Sequence, residues 1–354
     1  MNSVGLIEVF ALAVTPSALQ LERGNAECCR FYPVPSMSPA QANQPLPAGF
    51  WLDQYKITGQ VSLGGFSIVY LAEDVFGETV AIKEYLPNAL ALRAGESPEP
   101  VVSARHRAVF NHGLNCFFEE GRNLTRLDHP NVVRVLNFFR AHGTAYLVMR
   151  FEQGRTLQTH IQRHPASLSE DFIRNLFGRV LNGLRAVHSS QLLHLDIKPA
   201  NIYLRQQDGS PVLLDFGAAR QVIGHDVPQM RTMHTPGYAA PEQYDKTPEQ
   251  AELLGPWTDI YGIGASLYAC LGGKSPVSAQ DRLKHDTLPP AVKLFAGKYS
   301  RQLLETVDSC LNLDHLKRPQ SAHALQKLLA SEDRDVEKPG LLKRLGRWLK
   351  DRKQ

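Results

Sequence analysis

Two short segments of the 354-residue chain bring charged and amide side chains together at spacings that a purely structural loop rarely needs. In His194-Leu195-Asp196-Ile197-Lys198-Pro199-Ala200-Asn201, an ammonium follows the carboxylate by two positions and a carboxamide follows it by five. In Asp215-Phe216-Gly217, a second carboxylate emerges from the apolar run Val212-Leu213-Leu214, fourteen positions after Asn201. Such oxygens accept protons or hold hard cations, and ammonium groups neutralise anions. Two further residues stand apart. Val80-Ala81-Ile82-Lys83 ends a strand-like run in lysine, and Glu120 lies in a helical stretch one turn before Leu124. Singly both are weak signals, since a strand lysine is usually an edge residue and a helical glutamate is usually solvated.

The elements that must hold these residues are legible from periodicity. Tyr55 to Tyr70 and Val80 to Lys83 read as β-branched and aromatic strands broken by glycine. Arg105 to Leu127 carries Phe117, Leu124 and Leu127 at helical spacing, and Val132 to Phe139 and Ala145 to Phe151 read as strands. Ser167-Leu168-Ser169-Glu170 fits a capping box, and the stripe from Phe172 through Leu176, Val180 and Leu184 to Val187 follows it. Loops run to about residue 255, and helices are expected over Thr258 to Leu271, Tyr299 to Leu311 and Ser321 to Leu329. A strand-rich front half and a helical rear half imply an α+β fold in two lobes.

Residues 1–50, punctuated by Pro33, Pro35, Pro39, Pro45 and Pro47, read as a flexible extension, with Met37 as an alternative start. Residues 334–354 read as a basic amphipathic tail built on Leu341 to Lys350, suited to weak contact with an anionic membrane surface. The body is near neutral. Of 39 basic and 35 acidic residues, seven basic and one acidic fall from Lys338 onward, which leaves 32 against 34. A net charge of +4 gives no footprint of a nucleic-acid binder. At 43% hydrophobic residues a disordered chain is excluded, and no apolar run reaches the roughly 18 residues that a membrane span needs. Five irregularly spaced cysteines argue against a disulfide framework, and a reducing, cytoplasmic setting is expected.

Taken together these segments resemble the eukaryotic-type (Hanks-type) protein kinases, in their bacterial branch, over residues 51–333. Ala240-Pro241-Glu242, Asp259 with Gly262, and Arg318 in Lys317-Arg318-Pro319 match further family segments, Arg318 as the partner of Glu242. The resemblance implies a two-lobed kinase fold: a small antiparallel-sheet N-lobe with one main helix over about 51–152, and a larger, mostly helical C-lobe over about 153–333. It implies ATP and Mg²⁺, with Mn²⁺ as the alternative metal. Lys83 is then expected on the α/β-phosphates and held by Glu120, with Asn201 and Asp215 on the metal. Asp196 orients the acceptor hydroxyl and takes its proton, and Lys198 lies by the γ-phosphate. Ser62, Gly64, Gly65 and Phe66 form the phosphate loop, Val69 and Ala81 cover the adenine, and backbone after Met149, near Glu152, meets its edge. Lys198 and Thr235 resemble the serine/threonine class. The expected function is therefore transfer of the γ-phosphate to protein Ser/Thr hydroxyls, with autophosphorylation, in signalling opposed by a phosphatase.

The chain departs from the family pattern at four places. Two of the three loop glycines are Ser62 and Ser67, a cost wherever φ is positive. Leu195 stands where an arginine usually pairs with a phosphorylated activation segment, which weakens Thr232 as a switch. Lys83 and Glu120 are separated by an unusually long insert bearing Pro87, Pro98 and Pro100, and Arg150 replaces an acidic hinge residue. These departures leave a nucleotide-binding pseudokinase scaffold as the alternative, whereas Glu242 and Arg318 count against a small-molecule kinase. His129 is expected to pack in a turn, His225 and His234 to be solvated, and Cys116 to be buried and inert.

Overall fold

The computed structural model describes residues 43–164, 168–216, 220–221, 235–244 and 253–331. The chain opens with strands β1 (Trp51–Leu52), β2 (Tyr55–Leu63), β3 (Ser67–Glu73) and β4 (Thr79–Tyr85). A small hairpin of β5 (Ala91–Leu92) and β6 (Val101–Val102), helix α1 (Arg107–Leu124), and strands β7 (Val135–Ala141) and β8 (Thr144–Arg150) follow. Six strands form one antiparallel sheet in the order β1-β2-β3-β4-β8-β7. Its β7–β8 hairpin turns on His142 and Gly143, both at positive φ (48° and 67°), as a two-residue turn between twisted strands requires.

Strand β4 explains how the lobe is built. It is buried along nearly its whole length because both of its faces are covered. Ala81, Lys83 and Tyr85 share the inner face, where the Tyr85 ring packs on Phe110 and Phe117 of α1 and Lys83 Nζ lies over the Phe117 ring. Val80, Ile82 and Glu84 share the opposite face with Ile68, Tyr70 and Ala72 of β3 and with Tyr146 and Val148 of β8. Helix α1 lies so close to the sheet that a Cβ on Gly121 would stand 2.9 Å from Leu147 Cδ1 and 3.1 Å from Phe138 Cβ.

The second lobe begins with β9 (Gly154–Thr156), α2 (Leu157–Arg163) and α3 (Glu170–Ser189). Short strands β10 (Leu192–Leu193), β11 (Ile202–Arg205), β12 (Pro211–Leu213) and β13 (Arg220–Gln221) come next. Helices α4 (Pro256–Gly272), α5 (Ala279–Lys284), α6 (Ala291–Leu294), α7 (Arg301–Cys310) and α8 (Ala322–Ala330) complete it. Helix α3 buries the expected stripe from Ile173 to Val187. Helix α4 is buried continuously from Thr258 to Leu271 and forms the centre of the lobe. Pieces β9, β11 and β12 pair into a small sheet that carries the chemistry-bearing loops at its ends.

The two-lobed α+β arrangement agrees with the expectation, and two local readings need correction. The N-cap of α3 is Ser169, which accepts from Phe172 N, and Ser167 lies outside the described residues. Glu170 does not complete a box; its carboxylate accepts from Ser300 N and Oγ at 2.7 and 2.6 Å, because tying α3 to the start of α7 satisfies more donors. The extension does not stay free up to residue 50. Asn43 and Leu46 are 1% and 5% exposed, and Leu46 N donates to Tyr70 OH across the outer face of the sheet. Met37, most of the extension and the basic tail lie outside the described residues. No helix among the described residues is long and apolar enough to cross a membrane.

Candidate active site

A cavity of about 220 Å³ opens between the lobes. Its roof is the inner face of β2, β3 and β4, where alternation aims Ser62, Val69, Ala81 and Lys83 into the space along with Gly64. Its back wall is Glu120 and Leu124 of α1, with Leu147 of β8. Met149, Arg150 and Glu152 line the connection between the lobes, and Asn201 and Asp215 form the floor. The Glu152 carboxylate is turned aside to a bidentate pair with Arg205 at 2.8 and 2.9 Å, so the Glu152 side chain is engaged with the C-lobe sheet. Gly65, Phe66, Asp196 and Lys198 are not part of this wall.

The loop from His194 to Asn201 is held from below by a buried carboxylate. Asp259, near the start of α4, accepts from His194 N at 2.9 Å and from Leu195 N at 2.7 Å, with His188 Nε2 at 2.8 Å. Burial opposes its ionisation, but these hydrogen bonds and the neighbouring histidines outweigh burial and hold its pKa below the ordinary value. Pinned in this way, Leu195 adopts φ 63°, a left-handed conformation that is unusual for a branched residue. The loop then presents one polar cluster. Asn201 Nδ2 donates to Asp196 Oδ2 (2.9 Å), Lys198 Nζ pairs with Asp196 Oδ2 (2.8 Å), and Lys198 also donates to Thr235 Oγ1 (2.8 Å). Thr235 Oγ1 donates to Asp196 Oδ1 at 3.0 Å, so a hydroxyl already rests on this carboxylate. His194 Nε2 meets Leu214 O at 3.0 Å, and its ring packs on Phe216, which joins this loop to the Asp215 segment.

Lys83 does not make the contact expected of it. Its Nζ donates to Asp215 Oδ1 at 2.6 Å, and no hydrogen bond or ion pair joins it to Glu120 among the described residues. The two carboxylates compete for one ammonium, and Asp215, aimed by its left-handed backbone (φ 59°), reaches it. Burial opposes the lysine charge, but Asp215 and then Glu120 hold its pKa above the ordinary value. Glu120 is left 9% exposed, with Oε1 unpartnered. Burial and, secondarily, Asp215 push its pKa up to about 7 against the opposing pull of Lys83.

The residues present suit a hard cation. Both amide-hydrogen bonds of Asn201 run to Asp196, and its Oδ1 accepts no hydrogen bond among the described residues. That oxygen and the Asp215 carboxylate therefore offer an all-oxygen donor set to the cavity. The serines of the phosphate loop carry no conformational cost. Neither Ser62 nor Ser67 lies at positive φ, because both sit within strands. Arg318 grips Glu242 bidentately at 2.7 and 3.0 Å, both buried, as the resemblance implied.

Sequence reading missed a second polar centre, on the outer face of β4. Glu84 and Arg93 are 0% and 2% exposed. Arg93 reaches both Glu84 oxygens at 2.6 and 2.8 Å, and Tyr70 and Tyr146 each donate to Glu84 at 2.7 Å. Period-two alternation places Glu84 opposite Lys83 and was the available signal; Arg93 lies in the insert and carries none. Leu124 and Leu147 of the cavity wall were also missed, although Leu147 stands two residues before Met149 on the same face. Cys116 is exposed rather than buried, with Sγ 3.6 Å from His112 Nε2, because it falls on the outer side of α1. His129 accepts from Asn131 N in a turn, and Thr232, His225 and His234 lie outside the described residues.

Two lobes with such a cavity between them have the arrangement of a protein kinase domain. The protein kinase domain profile matches residues 55–329, and the chain belongs to the protein kinase family, in the Hanks-type serine/threonine branch found in bacteria. It is 29% identical over 297 residues to serine/threonine-protein kinase pkn2 of Myxococcus xanthus, covering 78% of this chain and 32% of that protein. It is 28% identical over 288 residues to serine/threonine-protein kinase C of Synechocystis sp., covering 78% of this chain and 49% of that protein. The chain thus spans about a third to about a half of the length of these relatives. Among solved structures, the PpkA-294 apo form aligns with a TM-score of 0.71 at 36% identity, over 80% of this chain and 99% of that one. The kinase domain of PknI from Mycobacterium tuberculosis shares the fold, with a TM-score of 0.58 at 21% identity, over 80% of this chain and 98% of that one.

Proposed function

We propose that this chain transfers the γ-phosphate of ATP to Ser and Thr hydroxyls of proteins, itself included, with Mg²⁺ as the working metal. Asp196 is the base, Lys198 and Lys83 neutralise phosphate charge, and Asn201 and Asp215 hold the metal. When bound, that metal neutralises charge on the phosphates. The carrying observation is the Asp196 cluster: a threonine hydroxyl already donates to the carboxylate at 3.0 Å while Lys198 bridges both groups. Glu120, whose charge already acts on Lys83 beside that of Asp215, is the reserve partner of that lysine.

The same reading gives protein substrates, a cognate phosphatase to reverse the mark, and a cytoplasmic setting supported by the irregular cysteines. Contact with an anionic membrane surface is assigned to the basic residues from Lys338 onward. Labelled γ-phosphate from Mg-ATP, offered to the chain and to a generic basic protein, tests the proposal. Phosphoserine or phosphothreonine that disappears in Asp196→Asn supports it. ATP binding with no transfer in either protein would favour the scaffold reading.

A further inference from the structure

The phosphate loop of this chain is tied down from outside the nucleotide cavity. Its turn is closed by Gly64 N donating to Ser67 O at 2.9 Å. Past the end of β4 the ladder continues: Leu86 N donates to Phe66 O and Asn88 N donates to Gly65 O, each at 2.9 Å. Those two carbonyls belong to the tip of the loop. The segment that reaches them is itself built in. Pro87 O accepts from Leu90 N at 2.9 Å and Ala91 N at 3.0 Å, a turn with Asn88 at its second position. Asn43, 1% exposed, clasps this turn: its Nδ2 donates to Asn88 Oδ1 (2.7 Å) and Ala91 O (3.2 Å), and its Oδ1 accepts from Arg93 N (2.5 Å). Arg93 closes the path through its buried pair with Glu84 on β4. A hydrogen-bonded line thus runs from the core of the sheet to the tip of the loop. It uses the insert that lengthens the separation of Lys83 and Glu120.

We propose that residues 86–93, clasped by Asn43, are a strap that pre-orders the phosphate loop, and that Asn88 is a positioning residue for the phosphates of ATP, acting through the Gly65 carbonyl. The proposal rests on the reading of the cavity as an ATP site. A loop that is free in the apo state must be ordered when phosphates bind, and each ordering step subtracts from affinity. The strap removes that cost for phosphates and has no bearing on adenine, whose surroundings lie at Val69, Ala81 and the inter-lobe connection.

Position 88 permits a selective test, because the second position of a β-turn accepts proline. In the full-length chain, Asn88→Pro removes the N–H that holds Gly65, whereas Asn88→Ala keeps it and loses only the side-chain bond from Asn43. Mg-ATP and adenosine affinities are measured by calorimetry for both variants, with KM for ATP and kcat alongside. Asn88→Pro is expected to weaken Mg-ATP roughly fivefold to tenfold, the worth of one hydrogen bond, and to raise KM to match. Adenosine affinity and kcat should stay within about twofold, and Asn88→Ala should lie between wild type and Asn88→Pro. Unchanged ATP affinity in Asn88→Pro, or equal weakening of ATP and adenosine, overturns the strap. If Asn88→Pro does not fold, Asn43→Ala carries the same comparison with the same two refuting results. Wild type that binds adenosine and ATP with equal affinity, or binds neither, overturns the ATP reading itself.

Discussion

Breaking the Glu84–Arg93 pair should cost this protein much of its stability, and the size of the loss follows from the surroundings of the carboxylate. Glu84 is fully buried and receives two guanidinium bonds from Arg93 and one hydroxyl bond each from Tyr70 and Tyr146. Arg93→Met keeps most of the volume but leaves a buried carboxylate with only the two tyrosines. Removing one partner of a buried pair costs about 3–5 kcal/mol, because the remaining charge is left uncompensated. Replacing both partners should cost less than either single change, since Glu84→Met with Arg93→Met removes the stranded charge as well. A typical domain holds only about 5–15 kcal/mol in reserve, so the single variant should be visibly marginal near 37 °C. Urea unfolding of the full-length chain, followed by tryptophan fluorescence and far-UV circular dichroism, measures all four corners of the cycle. A loss below about 1 kcal/mol for Arg93→Met, or a double variant whose loss is the sum of the singles, would refute the reasoning. Either result would mean that Glu84 is neutral in the folded state or that water reaches it.

Four other outcomes are expected. Asp196→Asn should lower turnover by about a thousandfold or more in a labelled-phosphate assay while moving the unfolding midpoint little, because Asp196 is only partly buried. Lys83→Met should cost turnover far more than ATP affinity, since the charge acts chiefly on developing phosphate charge; equal losses in both would make Lys83 a ground-state contact. Glu120→Gln should stabilise the apo protein at pH 8. The folded carboxyl titrates near 7 against an ordinary value of 4.5, so its contribution is complete below pH 4.5 and lost as pH rises towards 7. At about 1.4 kcal/mol per unit this comes to a little over 3 kcal/mol as an order of magnitude, and urea midpoints of the two proteins should converge near pH 4.5. Thr232→Ala should keep activity within about twofold, because Leu195 offers no counter-charge to a phosphate there; a tenfold loss would show that another cation serves.

The parts of the site that were legible in sequence are those whose geometry is local. Asp196, Lys198 and Asn201 fall in one loop, and their spacing alone puts their side chains within hydrogen-bond reach of one another. Ser62, Val69, Ala81 and Met149 were placed by the family resemblance, and the structure lines the cavity with them through period-two alternation on strands. What was not legible depends on competition between distant groups. Lys83 has two carboxylates to choose from, and nothing in the spacing says that Asp215, 132 positions away, reaches it first. The Pro-rich stretch before residue 50 was read as free because its composition is that of a linker. Leu46, however, joins the buried cluster that also holds Leu86 and Ala91 of the insert, and its N–H donates to Tyr70 OH. The capping box at Ser167 failed for a related reason, since Glu170 had a better set of donors at Ser300 than its own helix end.

The substitution of Leu195 for the usual arginine is easier to understand once the backbone is separated from the side chain. The strained φ of 63° at Leu195 must be held by something. Here Asp259 holds it through the amides of His194 and Leu195, and Gln243 Nε2 donates to Leu195 O at 2.8 Å from the other side. Neither restraint touches the Leu195 side chain, which is buried as an ordinary apolar residue. Gln243 adjoins Glu242, and Glu242 is locked by Arg318 and by Thr258 of α4, the helix that also carries Asp259. The loop that presents Asp196 is therefore clamped on both sides by the same buried helix. A cation at position 195 is needed only where the loop conformation depends on a phosphate arriving later. In this chain the conformation is already set by groups that pair on folding, so an apolar side chain at position 195 leaves the loop geometry intact.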